Sequence, residues 1–203
     1  RKQDKSPGTI QAVTAPIERR TYWAMTALFS LSAVLMTAIS VIVIVLLQER
    51  GNSLSAAITL SAIIGPASVG CRIVDLFTRN KHPKWTMLIS VSLTAAGVLT
   101  LAFIPAFAAL GLVLYGAGNG LRAIVRSTLP LAIVAVKDYA VISSKMAAPV
   151  FFSQALTPLA CGYLLALVGA EVTITILAIT SALALALGIF LIKLISSTKP
   201  AEF

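Results

Sequence analysis

Apolar residues run through this chain in long stretches, with the polar residues gathered between the stretches rather than among them. A stretch of about 20 apolar residues, at 1.5 Å rise per residue, matches the ~30 Å hydrocarbon core of a bilayer. Read this way, the pattern predicts six helical spans, at about 22–47, 53–77, 85–104, 107–136, 139–168 and 172–194. The strands of a membrane barrel would alternate with period two, and these stretches do not. Tyr22 and Trp23 open the first span as interfacial anchors. The second span is expected to kink near Gly65-Pro66, because proline removes a donor from the helical ladder. Residues 1–20 are polar and punctuated by Pro7, Gly8 and Pro16. They read as a cytoplasmic linker and lack the apolar core of a signal peptide. Residues 21–195 are then the transmembrane domain and 196–203 a cytoplasmic tail. A chain that begins at Arg1 rather than Met reads as a fragment, a processed product or part of a larger polypeptide.

Composition supports the bilayer reading. Hydrophobic residues make up 58% of the chain and charged residues 11%, against about a quarter charged in soluble proteins. The predicted fold class is therefore an all-α integral membrane protein, a six-transmembrane-helix bundle. The net charge of +9 sharpens this into an orientation. Arg1, Lys2, Lys5, Arg19, Arg20, Arg72, Arg79, Lys81, Lys84, Lys137, Lys145, Lys193 and Lys199 fall on one side. Only Arg50 falls on the other. By the positive-inside rule both termini are cytoplasmic, in what would be a bacterial inner membrane. No basic stripe interleaved with aromatics is present, so nucleic acid is not an expected partner. His82 lacks companion ligands, and Cys71 and Cys161 sit in different apolar stretches. Neither a metal site nor a cofactor is expected.

Candidate chemistry reduces to polar groups placed where lipid makes them costly. No paired carboxylates, nucleophile set or phosphate-cradling glycine loop occurs, and an enzyme is not expected. In the fourth span Tyr115, Asn119, Arg122 and Arg126 share one helical face. Measured from Phe107, Arg122 lies ~22 Å into the ~30 Å core, and Arg126 is near the cytoplasmic surface. An arginine at that depth normally faces a bundle interior or a water cavity, although its long side chain can also reach toward headgroups. Gly116 and Gly120 have the small-xxx-small spacing that lets helices approach closely. The fifth span carries Ser153, Gln154 and Thr157, flanked by Pro149 and Pro158. Gln154 is expected to line a cavity or bridge helices. At the cytoplasmic end of the second span, Arg72 and Asp75 are spaced to pair, either as a plain interfacial ion pair or as a gating contact.

Two stretches resemble the C-terminal half of a major facilitator superfamily transporter. One is Gly65-Pro66-Ala67-Ser68-Val69-Gly70-Cys71-Arg72-Ile73-Val74-Asp75 followed by His82-Pro83. The other runs from Tyr115 to Arg122 and on through Val125 to Pro130. With six spans, cytoplasmic ends and a short basic loop between spans two and three, the resemblance covers about Arg19 to Leu194. The superfamily's strict loop signature is absent, since Arg72 precedes Asp75, so only the location of a cytoplasmic gate carries over. The resemblance implies half of a secondary active transporter moving a small polar or anionic solute by alternating access. A second, N-terminal six-helix half, as a separate chain or a missing segment, would complete the cavity, and the lipid bilayer and a small-molecule substrate would be the other partners. It further implies substrate-cavity roles for Tyr115, Asn119, Arg122, Ser153, Gln154 and Thr157, and gating roles for Arg72, Asp75 and Arg126. No acidic residue lies deep in any span, so a proton-coupling carboxylate would belong to the other half. The competing expectation is a six-helix membrane subunit or sensor without transport activity.

Overall fold

A computed structural model of the chain describes residues 18–77, 82–134 and 136–197. Of the linker expected at 1–20, residues 1–17 lie outside the described residues, as do the basic loop at 78–81 and residues 198–203 of the tail expected at 196–203; Arg19 and Arg20 belong to α1, and 196–197 to α6. The described residues are helical throughout, with no strand among them. The elements are α1 (Arg19–Glu49), α2 (Leu54–Ala62), α3 (Ile64–Phe77), α4 (Pro83–Phe103), α5 (Ala108–Ile133) and α6 (Val136–Ser197), with a short 3-10 turn at Pro105–Phe107 before α5. Among the described residues, five stretches are long and apolar enough to cross a membrane: Arg19–Glu49, Leu54–Phe77, Pro83–Phe103, Pro105–Ile133 and Asp138–Ser196.

Local chemistry explains where these helices stop. At the end of α1, Gly51 takes φ +89°. Its N–H donates to the Gln48 carbonyl and that of Asn52 to the Leu47 carbonyl, a Schellman closure that needs the left-handed residue glycine supplies. Ser53 then caps α2, its Oγ accepting from the Ala56 N–H at 3.2 Å. The second apolar stretch breaks at Ile63, between α2 and α3. Pro66 has no N–H for the Ala62 carbonyl, which is the physical origin of the break.

The sequence pattern predicts separate fifth and sixth spans, and α6 consists of two helices joined at Gly169, whose backbone (φ +77°, ψ 175°) is not helical. That backbone region is essentially open to glycine alone. The 59-residue apolar stretch would be ~88 Å long if straight, nearly three hydrocarbon cores, and it does not run straight. Just past Gly169, the Ala170 N–H donates to Glu49 Oε2 at 3.2 Å. Gly188, however, lies against Val91, midway along α4. A continuous helix would carry residue 188 ~27 Å beyond Ala170, in the opposite direction. The arms 136–168 and 170–197 therefore double back on each other.

The helix α1 packs mainly on α6, while α4 packs on α5, α3 on α5 and α4 on α6. Met25, Leu28, Leu35, Ile39, Ile42 and Leu46 recur at helical spacing along α1, none more than 1% exposed. In a bilayer, burial of this kind brings little hydrophobic gain, because lipid tails are as apolar as leucine. Close van der Waals packing carries the association instead. Glycines on α5 provide that closeness. A Cβ at Gly116 would stand 2.8 Å from the Ile64 carbonyl oxygen, and one at Gly120 would collide with the Ser68 backbone of α3. Gly118 faces α4, where Ser90 Oγ donates to its carbonyl at 2.8 Å. By contrast, α3 has no buried residue and leaves Val69, Ile73, Val74, Leu76 and Phe77 exposed.

Candidate functional site

Most hydroxyls in these helices are satisfied by their own backbone. Thr26, Ser40, Thr59, Ser61, Thr94 and Thr100 each donate to the carbonyl four residues earlier. This is how a small polar side chain survives in an apolar span. Ser153 and Thr157 do the same, donating to the Pro149 and Ser153 carbonyls at 2.7 Å each. Their protons are committed within α6, so only their lone pairs remain to face a ligand. Gln154 is half-buried between them. Among the described residues no hydrogen bond joins these three side chains to Arg122.

The face predicted on α5 does converge, and it converges on α1. Tyr115 is 2% exposed, and its hydroxyl donates to the Met36 carbonyl at 3.2 Å. Two turns on, Arg122 Nε donates to Asn119 Oδ1 at 3.1 Å, and its Nη2 reaches the Met36 thioether sulfur. Tyr115, Asn119 and Arg122 thus form one cluster on α5, closed over by Met36 of α1. A guanidinium has five N–H donors, and a thioether is a weak acceptor for a cation. Among the described residues the only ion pair is Arg50–Glu171, so Arg122 has no carboxylate partner there. A charge held well inside an apolar bundle without a counterion is costly. The arrangement can therefore accept an anionic or strongly hydrogen-bonding group. Met36 is the part of this cluster that sequence reading does not anticipate. A methionine in an apolar span carries no signal until the fold lays it beside a cation.

The residues expected at a gate are distributed differently from expectation. Arg72 does not pair with Asp75 among the described residues. Its Nε instead donates to the Gly120 carbonyl of α5 at 3.3 Å. The reason is the glycine contact, which brings the α5 backbone within reach of α3. Arg126 separates from Arg122 and turns toward α6, with its guanidinium carbon 4.7 Å from the Phe151 ring centroid. It lines a cavity of about 270 Å³ with Tyr139, Ser143 and Met146.

A second polar assembly, at the opposite end of the bundle, was not anticipated. Arg50 donates from Nε to Glu171 Oε1 at 2.6 Å and from Nη2 to Oε2 at 2.8 Å. Its Nη1 donates to the Leu101 carbonyl at the end of α4. Glu49 meanwhile accepts from the Ala170 N–H. One short segment after α1 thereby ties down the ends of α1 and α4 and the reversal in α6. The missed signal was the bidentate fit of an arginine fork to a carboxylate 121 residues away, which only proximity reveals.

No group of three or more metal-ligating side chains occurs among the described residues. No family model, no curated protein and no solved structure matches this chain.

Proposed function

We propose that this chain is one six-helix half of a secondary active transporter of the major facilitator type, carrying a small polar or anionic solute by alternating access. Counting the two arms of α6 as separate crossings gives the six spans this reading needs. The observation that carries it is Arg122, sunk in the bundle beside Asn119 and Tyr115 with no described carboxylate to neutralise it. An uncompensated deep cation is expensive unless an anionic group visits it. The van der Waals contact between α4 and the second arm of α6, where Gly188 lies against Val91, is one that outer positions for those two elements would make. Solute would then bind between this half and a second one, near the midplane. On this reading both ends of the chain face the cytoplasm of a bacterial inner membrane, and a proton-coupling carboxylate belongs to the other half.

The test is Arg122→Ala in the complete protein. A lost hydrogen-bonded charge is worth roughly 1.5–3 kcal/mol, so solute binding or transport should fall at least about tenfold. Unchanged transport would reduce Arg122 to a side chain that merely reaches toward the headgroups.

A further inference from the structure

Away from the Arg122 cluster, one cavity combines space, positive charge and an unmet polar group. It lies between α5 and the first arm of α6, with Phe29 of α1 in its wall, and holds about 270 Å³. That is slightly below the ~300–1,000 Å³ of pockets for drug-sized ligands, which suits a small group. Its polar lining is Arg126, Ser127, Tyr139 and Ser143. Ser143 Oγ is buried and has no hydrogen-bond partner among the described residues. Buried hydroxyls are normally satisfied, and one left unmet costs stability unless a ligand completes it. The Tyr139 hydroxyl makes only a 3.4 Å contact with the Ser127 carbonyl, long enough to be redirected at little cost.

Charge selects the ligand class. Arg126 lies over the Phe151 ring, its guanidinium carbon 4.7 Å from the centroid, an attraction to the ring that supplies no lone-pair acceptor for its N–H donors. Among the described residues it has neither a carboxylate nor a hydrogen-bond acceptor, and no carboxylate lines the cavity. Depth then narrows the class. Arg126 is 18 residues past Ala108, ~27 Å along a ~30 Å core, close to the level of the lipid phosphates.

We propose that this cavity binds a phosphate-bearing anion, with the Arg126 guanidinium as its anchor and the Ser143 hydroxyl as a further donor. The phosphate could be supplied by an anionic phospholipid headgroup, with Phe29, Met146 and Val150 against its apolar stem, or by soluble phosphate from the aqueous side. The inference rests on the membrane setting but not on transport, so a failure of the Arg122 experiment leaves it standing.

The test uses the full chain in phosphate-free maltoside micelles, with the thermal midpoint as readout. Phosphatidylglycerol, inorganic phosphate and an uncharged diacylglycerol are titrated separately. Phosphatidylglycerol or phosphate should raise the midpoint of the wild-type chain, whereas diacylglycerol should not. A response to phosphatidylglycerol alone assigns the site to a lipid headgroup, and a response to inorganic phosphate assigns it to a soluble anion. Arg126→Gln should require about tenfold more ligand for the same shift, Ser143→Ala should weaken the response, and Arg126→Lys should keep most of it. Equal midpoints under all three additions, or equal shifts in wild type, R126Q and S143A, would overturn the proposal. If R126Q does not fold, an unchanged response in S143A overturns it equally.

Discussion

Arg122 and Arg50 show how differently two arginines of the same chain can be employed. Arg122 is held by a side-chain amide and a thioether, both weak partners for a cation, whereas Arg50 grips a carboxylate with two parallel bonds and adds backbone carbonyls. Glu171 is 55% exposed and the Arg50 side chain only 9%, so the ion pair itself is well screened and worth little. The bond to the buried Leu101 carbonyl matters more. Arg50→Ala is accordingly expected to destabilise the chain by about 2 kcal/mol, and Glu171→Gln by less than about 1 kcal/mol. Thermal unfolding of the two variants side by side checks the order, and equal losses would mean that the ion pair dominates. The shared face of Tyr115, Asn119 and Arg122 was legible in the sequence, because helical spacing fixes which residues share a face. Arg126 lies on the same face by spacing, yet one turn further along α5 its neighbour is Phe151 of α6 rather than Met36 of α1.

Helix ends and helix contacts carry the predictions at the next scale. Gly169 has open space around its Cα, so a methyl group there meets no atom and the cost of replacing it is backbone strain alone. Gly169→Ala should therefore lose about 1–3 kcal/mol of stability. Gly120→Ala should lose a similar amount by a different route, through overpacking of about 1–3 kcal/mol as α3 is pushed off α5. Cross-linking between cysteines placed on α3 and α5 should fall in the second variant and not in the first. A pH effect arises at the start of α4, where His82 Nδ1 accepts from the Lys84 N–H at 3.2 Å. Burial, and then the Lys84 charge, hold this imidazole below its ordinary range. The folded state therefore favours the neutral ring. The contribution is complete above the unfolded pKa of about 6.5 and is lost as pH falls through the lower folded value. His82 is largely exposed, so the effect is small. The midpoint of the wild-type chain should drop slightly more between pH 7.5 and 5.5 than that of His82→Asn, whose amide caps without titrating. Matching pH profiles would remove the cap from the account.

For the molecule as a whole, the orientation across the membrane can be checked directly. In a background with Cys71 and Cys161 replaced by alanine, a membrane-impermeant thiol reagent applied to intact cells should label Asn52→Cys and not Lys84→Cys. The reverse pattern would invert the proposed topology. The helical character of the chain, the presence of stretches apolar enough to cross a membrane, the breaks near Gly65-Pro66 and at Gly51 and the position of Arg122 along its helix all follow from the sequence alone. Each depends on residue type and on spacing along a single helix, where 1.5 Å per residue converts position into depth. What the tertiary structure decided is which helices meet: Met36 over Arg122, Arg72 on Gly120 rather than Asp75, Arg50 on Glu171, and an unmet Ser143 beside Arg126. Those pairings join residues up to 121 positions apart. They are set by how closely glycine-lined backbones approach and by the reversal at Gly169, quantities that no local pattern of apolar and polar residues encodes.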